Sequence, residues 1–238
     1  MKKISVILPT YNEKGNIIRL VEAIHGQLLS HDHEVIVVDD NSPDGTFQIL
    51  ADSNKPYLIP ILRTQDRGFA HSIRCALEKA GGDILIVMDS DFNHDPGYLP
   101  FMIDALRYYD CVTASRFVYG GKMDSRARHI LSWCFNIFIR LIIGGQITDS
   151  LYGYFAIKRA HLMRCDFDKI FWGYGDYCIR LLYYLQQNNA SILQFPAVNG
   201  KRIDGKGNGR FLRVFWQYFC EAIKLSCRAR FIPGRKPQ

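Results

Sequence analysis

The chain reads as an α/β protein with a mostly parallel sheet covered by helices on both faces. Short apolar runs alternate with stretches of helical spacing over residues 4–114. The apolar runs are continuous rather than alternating, the pattern of strands buried on both faces. Three of them stop abruptly in polar clusters, Thr10-Tyr11-Asn12-Glu13, Asp39-Asp40-Asn41-Ser42 and Asp89-Ser90-Asp91.

Taken in order, Ile4 to Leu8 is a buried strand closed by Pro9, and Asn16 to Leu29 has helical spacing through Ile17, Leu20, Val21, Ile24 and Leu28. Glu34 to Val38 is a second strand, and the Asp39–Gly45 cluster after it is a turn signal. A short helix and a strand near Leu58 to Leu62 follow. Ala70 to Ala80 is helical and stops at Gly81-Gly82. Ile84 to Met88 is a further strand, Pro96 opens a helix, and Cys111 to Ala114 is a strand. After residue 115 the alternation breaks. Ile130 to Ile143 is apolar apart from Ser132, Asn136 and Arg140, which is too short and too charged for a membrane span. Strands at Tyr154 to Ile157 and Ser191 to Phe195 flank a helix from Asp176 to Gln187. Residues 199–209 form a basic, glycine-rich loop, and a helix over about 210–228 mixes aromatic with basic residues.

A chain of 238 residues, 48% apolar, suits one compact domain. The boundaries expected are 1–198 for the α/β domain, including an interfacial helical segment at 124–143, and 199–238 for the basic loop and an amphipathic helix. Seven cysteines are scattered without a CxxC pair, so they are expected as reduced thiols. The first apolar run is too short for the centre of a signal peptide, and a cytosolic location is expected. Of 30 Lys+Arg and 23 Asp+Glu, ten and two fall in residues 199–238, so this tail carries +8 and the rest −1. Such a tail suits an anionic partner: a phosphate ligand, a membrane surface or a nucleic acid. Nucleic acid is disfavoured, since no motif for it is present.

In parallel α/β sheets ligands lie beyond the carboxyl ends of the strands. The three polar clusters therefore bring Glu13, Asp39, Asp40, Asp89 and Asp91 to one edge. Asp89 and Asp91, one residue apart at a strand end, suit a hard divalent cation. A nucleoside diphosphate would be repelled by these carboxylates unless a cation bridged them. The alternative account is an acidic turn with Asp95 capping the helix at Pro96. Asp39 and Asp40 suit acceptance of a hydrogen bond from a base N–H or from ribose, or else simply end a strand. Tyr11 suits contact with a base face.

The segments Val6–Glu13, Val37–Thr46 and Met88–His94 resemble the inverting family 2 glycosyltransferases of the Rossmann-like GT-A fold, closest to the polyprenyl-phosphate (dolichol-phosphate) mannosyltransferases. Arg67-Gly68-Phe69, Ala114-Ser115-Arg116-Phe117 and Gly200–Lys206 are similar to later motifs of that subgroup. The resemblance implies that Pro9, Tyr11, Glu13 and Asp40, with Asp39 and Arg67 beside them, hold the nucleotide. It implies Asp89 near ribose and metal, Asp91 as metal ligand and Asn93 as a further one, with Mg2+ or Mn2+ as cofactor. Arg116, Arg128, Arg202 and Lys206 would take the acceptor phosphate. The donor implied is a nucleotide-sugar, GDP-mannose before a UDP-sugar, and the acceptor is polyprenyl phosphate. A lipid monophosphate is largely ionised at neutral pH, so it needs cations and no general base. The apolar run at 130–143 and the basic aromatic helix suit a protein lying on a membrane surface, here the inner, cytoplasmic face, with membrane-proximal C-terminal helices.

Residues 149–155 read Asp-Ser-Leu-Tyr-Gly-Tyr-Phe where the subgroup has an Asp-Leu-Thr-Gly-Gly-Phe-Arg-like stretch, and Trp133 stands where a second arginine is common. Gly173-Tyr174-Gly175-Asp176 raises another reading, in which Asp176 is a general base toward a saccharide hydroxyl. The plain account of Asp176 is a helix cap. A third reading is a nucleotide-sugar binding module without turnover.

Overall fold

The computed structural model describes residues 2–198 and 211–230, with side chains described to 198 and over 216–226. The elements in chain order are β1 (Ile4–Thr10), α1 (Ile17–Gln27), β2 (His33–Asp39), α2 (Thr46–Asp52), β3 (Leu58–Leu62), α3 (Phe69–Lys79), β4 (Ile84–Val87), a 3-10 turn (Pro96–Tyr98) running into α4 (Leu99–Ala105), and β5 (Cys111–Ser115). They continue with α5 (Arg126–Ile143), β6 (Phe155–Lys158), α6 (Arg159–Leu162), α7 (Phe167–Ile170), α8 (Tyr177–Gln187), β7 (Ile192–Pro196) and α9 (Phe211–Arg230).

The strands form one sheet in the order β3-β2-β1-β4-β6-β5-β7. β6 runs antiparallel to both β4 and β5, and every other pairing is parallel. The expected mostly parallel sheet is present, with one reversed strand inserted where the sequence alternation breaks. Side-chain alternation along the buried strands divides the core in two. Ile4, Val6 and Leu8 face α1 and α4 with Val35, Val37 and Ile86, while Ile7, Ile36, Val38 and Leu85 face α3 and α8 with Phe155. A third, smaller cluster joins α5, α8 and α9 through Phe135, Ile139, Ile179, Tyr183, Ala222 and Leu225.

Two helix starts have local causes. Helix α5 begins at Arg126, ahead of the apolar run, because the Ser125 hydroxyl accepts from the Arg128 N–H and caps it. The run marks only the part of the helix that packs. The helix expected at Pro96 starts as a 3-10 turn, and Asp95 caps it by accepting from Gly97 N at 2.8 Å. Helices α6 and α7 have four residues each, too few for a periodic signal.

The amino end of the sheet is closed by polar contacts far from the candidate site. Ser5 Oγ donates to Glu34 Oε1 at 2.6 Å and accepts from Gly82 N at 2.8 Å. A Cβ on Gly82 would stand 2.6 Å from Ser5 N and 2.9 Å from the carbonyl carbon of Ile4, both backbone atoms. Gly82→Ala is therefore expected to destabilise the chain by about 1–3 kcal/mol through forced backbone movement. A urea melt should show a lower midpoint.

Candidate active site

Because β2, β1 and β4 are adjacent in the sheet, the loops after them meet at one edge. Each contains a non-glycine residue in the left-handed region: Asn12 at φ 59°, Asn41 at 58° and Phe92 at 64°. Asparagine tolerates that conformation, and a bulky phenylalanine does so at a cost.

After β1 and β2 the acidic residues are tied into the loops. Buried Asp39 accepts from Ser42 N at 2.9 Å and also from the Ser42 hydroxyl. Asp40 accepts from Gly68 N and Ser72 Oγ, each at 2.7 Å, and from Arg63 Nη1 at 3.1 Å. Glu13 accepts from Asn16 Nδ2 at 2.8 Å, and its own N–H donates to Thr46 Oγ1. The Asp40 carboxylate thus joins the loops after β2 and β3, and the Glu13 N–H joins the loop after β1 to the start of α2. The Pro9 carbonyl accepts from Ser90 Oγ at 3.1 Å, which joins the end of β1 to the loop after β4. Tyr11 is 50% exposed, with the Arg67 guanidinium 5.4 Å above its ring. That pair offers the planar, cationic surface suited to a base and its phosphates.

In the loop after β4, the side chain of Asp89 is 35% exposed while Asp91 is buried. Asn93 donates to Asp91 twice, from its backbone N at 3.1 Å and from Nδ2 at 2.7 Å. This orients the Asp91 carboxylate and turns the Asn93 amide oxygen into the atom suited to a cation. His94 Nδ1 accepts from Asp89 N at 2.9 Å, and burial pushes the imidazole pKa down to about 3. The ring is neutral and serves as a packed acceptor. It stacks on Tyr154 at 4.8 Å and meets the edge of Tyr152 at 4.5 Å.

The donor set of Asp89, Asp91 and Asn93 consists of hard oxygens and fits Mg2+ or Mn2+. Among the described residues no three His, Cys, Asp or Glu side chains form a cage. Two carboxylates, with the remaining positions left to substrate phosphates and water, match the way magnesium is usually held at phosphate sites.

Arg116, at the end of β5, is buried and paired with Asp149 through both ends of its fork, Nε to Oδ2 at 2.7 Å and Nη2 to Oδ1 at 2.9 Å. Expected from the sequence as an open cation for the acceptor phosphate, it is half of a neutralised ion pair. Its Asp149 partner was not anticipated. The guanidinium also lies over Tyr152 at 4.9 Å and Phe117 at 5.4 Å. Arg128 is exposed in the first turn of α5. Arg202 and Lys206 lie outside the described residues.

Asp176 stands where the helix-cap account put it, but its side chain does other work. It occupies the N-cap position of α8 without a side-chain cap bond. Its carboxylate is fully buried and holds Arg180 Nη1 at 2.5 Å, Tyr174 N at 2.8 Å and Gln217 Nε2 at 3.3 Å. Arg180, also fully buried, donates to the carbonyls of Ile170 and Trp172 and lies 3.7 Å from Glu221. A carboxylate so engaged is an anchor between α8 and α9, not a base open to a sugar hydroxyl. Sequence reasoning could have found Arg180 by its i+4 spacing from Asp176, but not the burial of the pair.

Comparison with known proteins agrees with this geometry. The family model described as "Glycosyl transferase family 2" matches residues 5–165. The chain is 34% identical over 176 residues to an undecaprenyl-phosphate mannosyltransferase of Micrococcus luteus, covering 71% of each protein. It is 32% identical over 163 residues to a dolichol-phosphate mannosyltransferase of Pyrococcus furiosus, covering 66% of this chain and 46% of that protein, so it spans about half the length of that relative. In fold it is similar to glucosyl-3-phosphoglycerate synthase of Mycobacterium tuberculosis, solved with Mn2+, UDP and phosphoglyceric acid. That match has a TM-score of 0.74 and 19% identity, and covers 94% of this chain and 78% of the other. With a matching family model over most of its length and the GT-A arrangement of its sheet, the chain belongs to glycosyl transferase family 2.

Proposed function

We propose that the protein transfers a hexose, mannose before others, from a nucleotide-sugar to polyprenyl phosphate by metal-dependent, inverting displacement. The observation that carries this reading is the joining of a two-carboxylate oxygen site after β4 to the loops after β1 and β2, beside the surface of Tyr11 and Arg67. The names of the mannosyltransferase relatives supply the acceptor class. Mn2+ accompanies UDP in the structural neighbour and supports the cofactor.

Tyr11 and Arg67 would lie against the base and draw in the phosphates, and Glu13, Asp39 and Asp40 would keep the loops around the nucleoside in shape. Asp89, Asp91 and Asn93 would hold a divalent ion, which neutralises charge on the departing diphosphate when bound. The acceptor phosphate oxygen would attack the anomeric carbon from the side opposite the diphosphate. As the new C–O bond forms, the bond to the diphosphate breaks and the configuration inverts. Arg128, with Arg202 and Lys206 of the basic segment, would overcome the repulsion between the two anions. The saccharide-hydroxyl reading loses its base, since Asp176 is tied to Arg180.

Attachment would be peripheral, at the cytoplasmic face. Ile130, Leu131, Trp133 and Leu141 of α5 and Trp216 and Ile223 of α9 are exposed. Arg126, Arg128, Arg140 and Lys224 are exposed on the same two helices. Apolar side chains among cations suit an interface with anionic lipid. Among the described residues no helix is long and apolar enough to cross a membrane.

Purified protein incubated with a panel of GDP- and UDP-sugars and a polyprenyl phosphate is expected to yield a hexosyl polyprenyl phosphate by mass spectrometry. Product only with saccharide acceptors would overturn the reading. Asp91→Asn should lower kcat by about 10²–10³-fold, the effect of losing several kcal/mol of charge stabilisation, and a chain that only binds nucleotide-sugar would show no turnover to lose. Arg202→Ala should raise the KM for the lipid phosphate. Asp176→Asn should instead destabilise the chain by about 3 kcal/mol, because it leaves buried Arg180 short of a partner. A loss of kcat at Asp176 with an unchanged melting temperature would restore the general-base assignment.

A further inference from the structure

The loop between Asp89 and Asp95 contains the least comfortable backbone near the site, Phe92 at φ 64°. Such a conformation persists only where surrounding contacts over-determine it. Local contacts supply part of that, with Asn93 on Asp91 and His94 on Asp89 N. The Phe92 ring packs on the core beneath Arg19, and further support comes from a segment distant in sequence. Tyr152 Oη donates to the Asn93 carbonyl at 3.1 Å, and Tyr154 Oη donates to the Asp95 carbonyl at 2.8 Å, each across 59 residues. The two rings hold His94 between them, one edge-on and one stacked.

The two tyrosines do different work. Asp95 is the cap of the 3-10 turn, so the Tyr154 bond serves the start of that turn. Asn93 is the residue whose backbone and side-chain N–H groups both orient Asp91. Tyr152 is also buried and lies against the Arg116 guanidinium, which Asp149 holds. One side chain thus touches the loop of the candidate metal ligands with its hydroxyl and the ion pair at the end of β5 with its ring.

We propose that Tyr152 is a positioning residue, whose hydroxyl fixes the Asn93 carbonyl and so sets Asp91 and Asn93 in the geometry that receives the divalent ion. The proposal rests on the metal-dependent reading above. It assigns the ring a separate task, holding Arg116 in register with that loop.

The test is Mn2+ binding by electron paramagnetic resonance with GDP or UDP present, on the full chain, beside turnover at varied Mn2+. Tyr152→Phe removes the hydroxyl and keeps the ring. It should weaken Mn2+ binding roughly three- to tenfold, the effect of one neutral hydrogen bond, and raise the Mn2+ needed for half-maximal turnover equally, with an unchanged KM for the lipid phosphate. Tyr154→Phe should change Mn2+ affinity less. Tyr152→Leu, which also removes the ring packed on Arg116 and His94, should weaken Mn2+ binding at least as much and lower the melting temperature as well. A Tyr152→Phe chain with wild-type Mn2+ affinity, whatever its melting temperature, overturns the proposal. A wild-type chain that binds no Mn2+ alongside either nucleotide overturns the metal-dependent reading itself, and the proposal with it.

Discussion

Mutual repulsion among five carboxylates, gathered where three adjacent strands end, is the constraint around which the rest of the structure is arranged. Glu13, Asp39, Asp40 and Asp91 are buried, where an unpaired charge is costly. Donors offset that cost for each, from the same loop for three of them, Asn16 for Glu13, Ser42 for Asp39 and Asn93 for Asp91, and from beyond β3 for Asp40, which accepts from Arg63, Gly68 and Ser72. The bonds that keep the charges apart are therefore the bonds that shape the loops. Asp89, the most exposed of the five, stands toward solvent beside Asp91.

Strands β1, β2 and β4 were legible because they are buried on both faces and read as continuous apolar runs, and the half-exposed edge strand β3 is apolar throughout. β1, β2, β3 and β4 fall within a residue or two of the runs that announce them. The direction of β6 was not legible, because Phe155–Lys158 would read the same whichever way it ran. At the site, the position of Asp39, Asp40, Asp89 and Asp91 followed from the topology, yet their partners did not. The Asp39–Ser42 turn is local and could be inferred from spacing. The Arg116–Asp149 and Tyr152–Asn93 contacts join residues 33 and 59 apart, and no periodicity announces either. Asp176 misled for a related reason. A helix-start carboxylate is read as a cap or a base, and only three-dimensional packing shows Arg180 held in an interior closed by α9.

That interior gives α9 a structural tie to the α/β domain. Gln217 reaches Asp176, and Glu221 lies near both Arg180 and Lys224. Below these polar contacts Ala222 and Leu225 pack on the apolar faces of α5 and α8. A buried ion pair is weak evidence for stability, since desolvation offsets much of the attraction, but it penalises displacement of one partner strongly. The junction therefore fixes where α9 sits more than it adds to the stability of the fold.

The charge pattern then acquires a spatial meaning. Arg116 is neutralised by Asp149, and Arg63 by Asp40, so these two cations contribute little net field to an arriving anion. Residues 1–198 carry a net charge of −1 and the tail +8. On the proposed function, attraction for a lipid phosphate would come from exposed cations such as Arg128 and from the tail, whose helix the buried junction holds against α5 and α8. The same exposed helices present Trp133, Ile130 and Trp216, so the field that gathers a phosphate and the surface suited to its hydrocarbon lie on neighbouring elements. A polyprenyl phosphate has both parts, a charged head and an apolar chain, and this pairing is the physical reason to favour it over a soluble phosphate, which would need only the first.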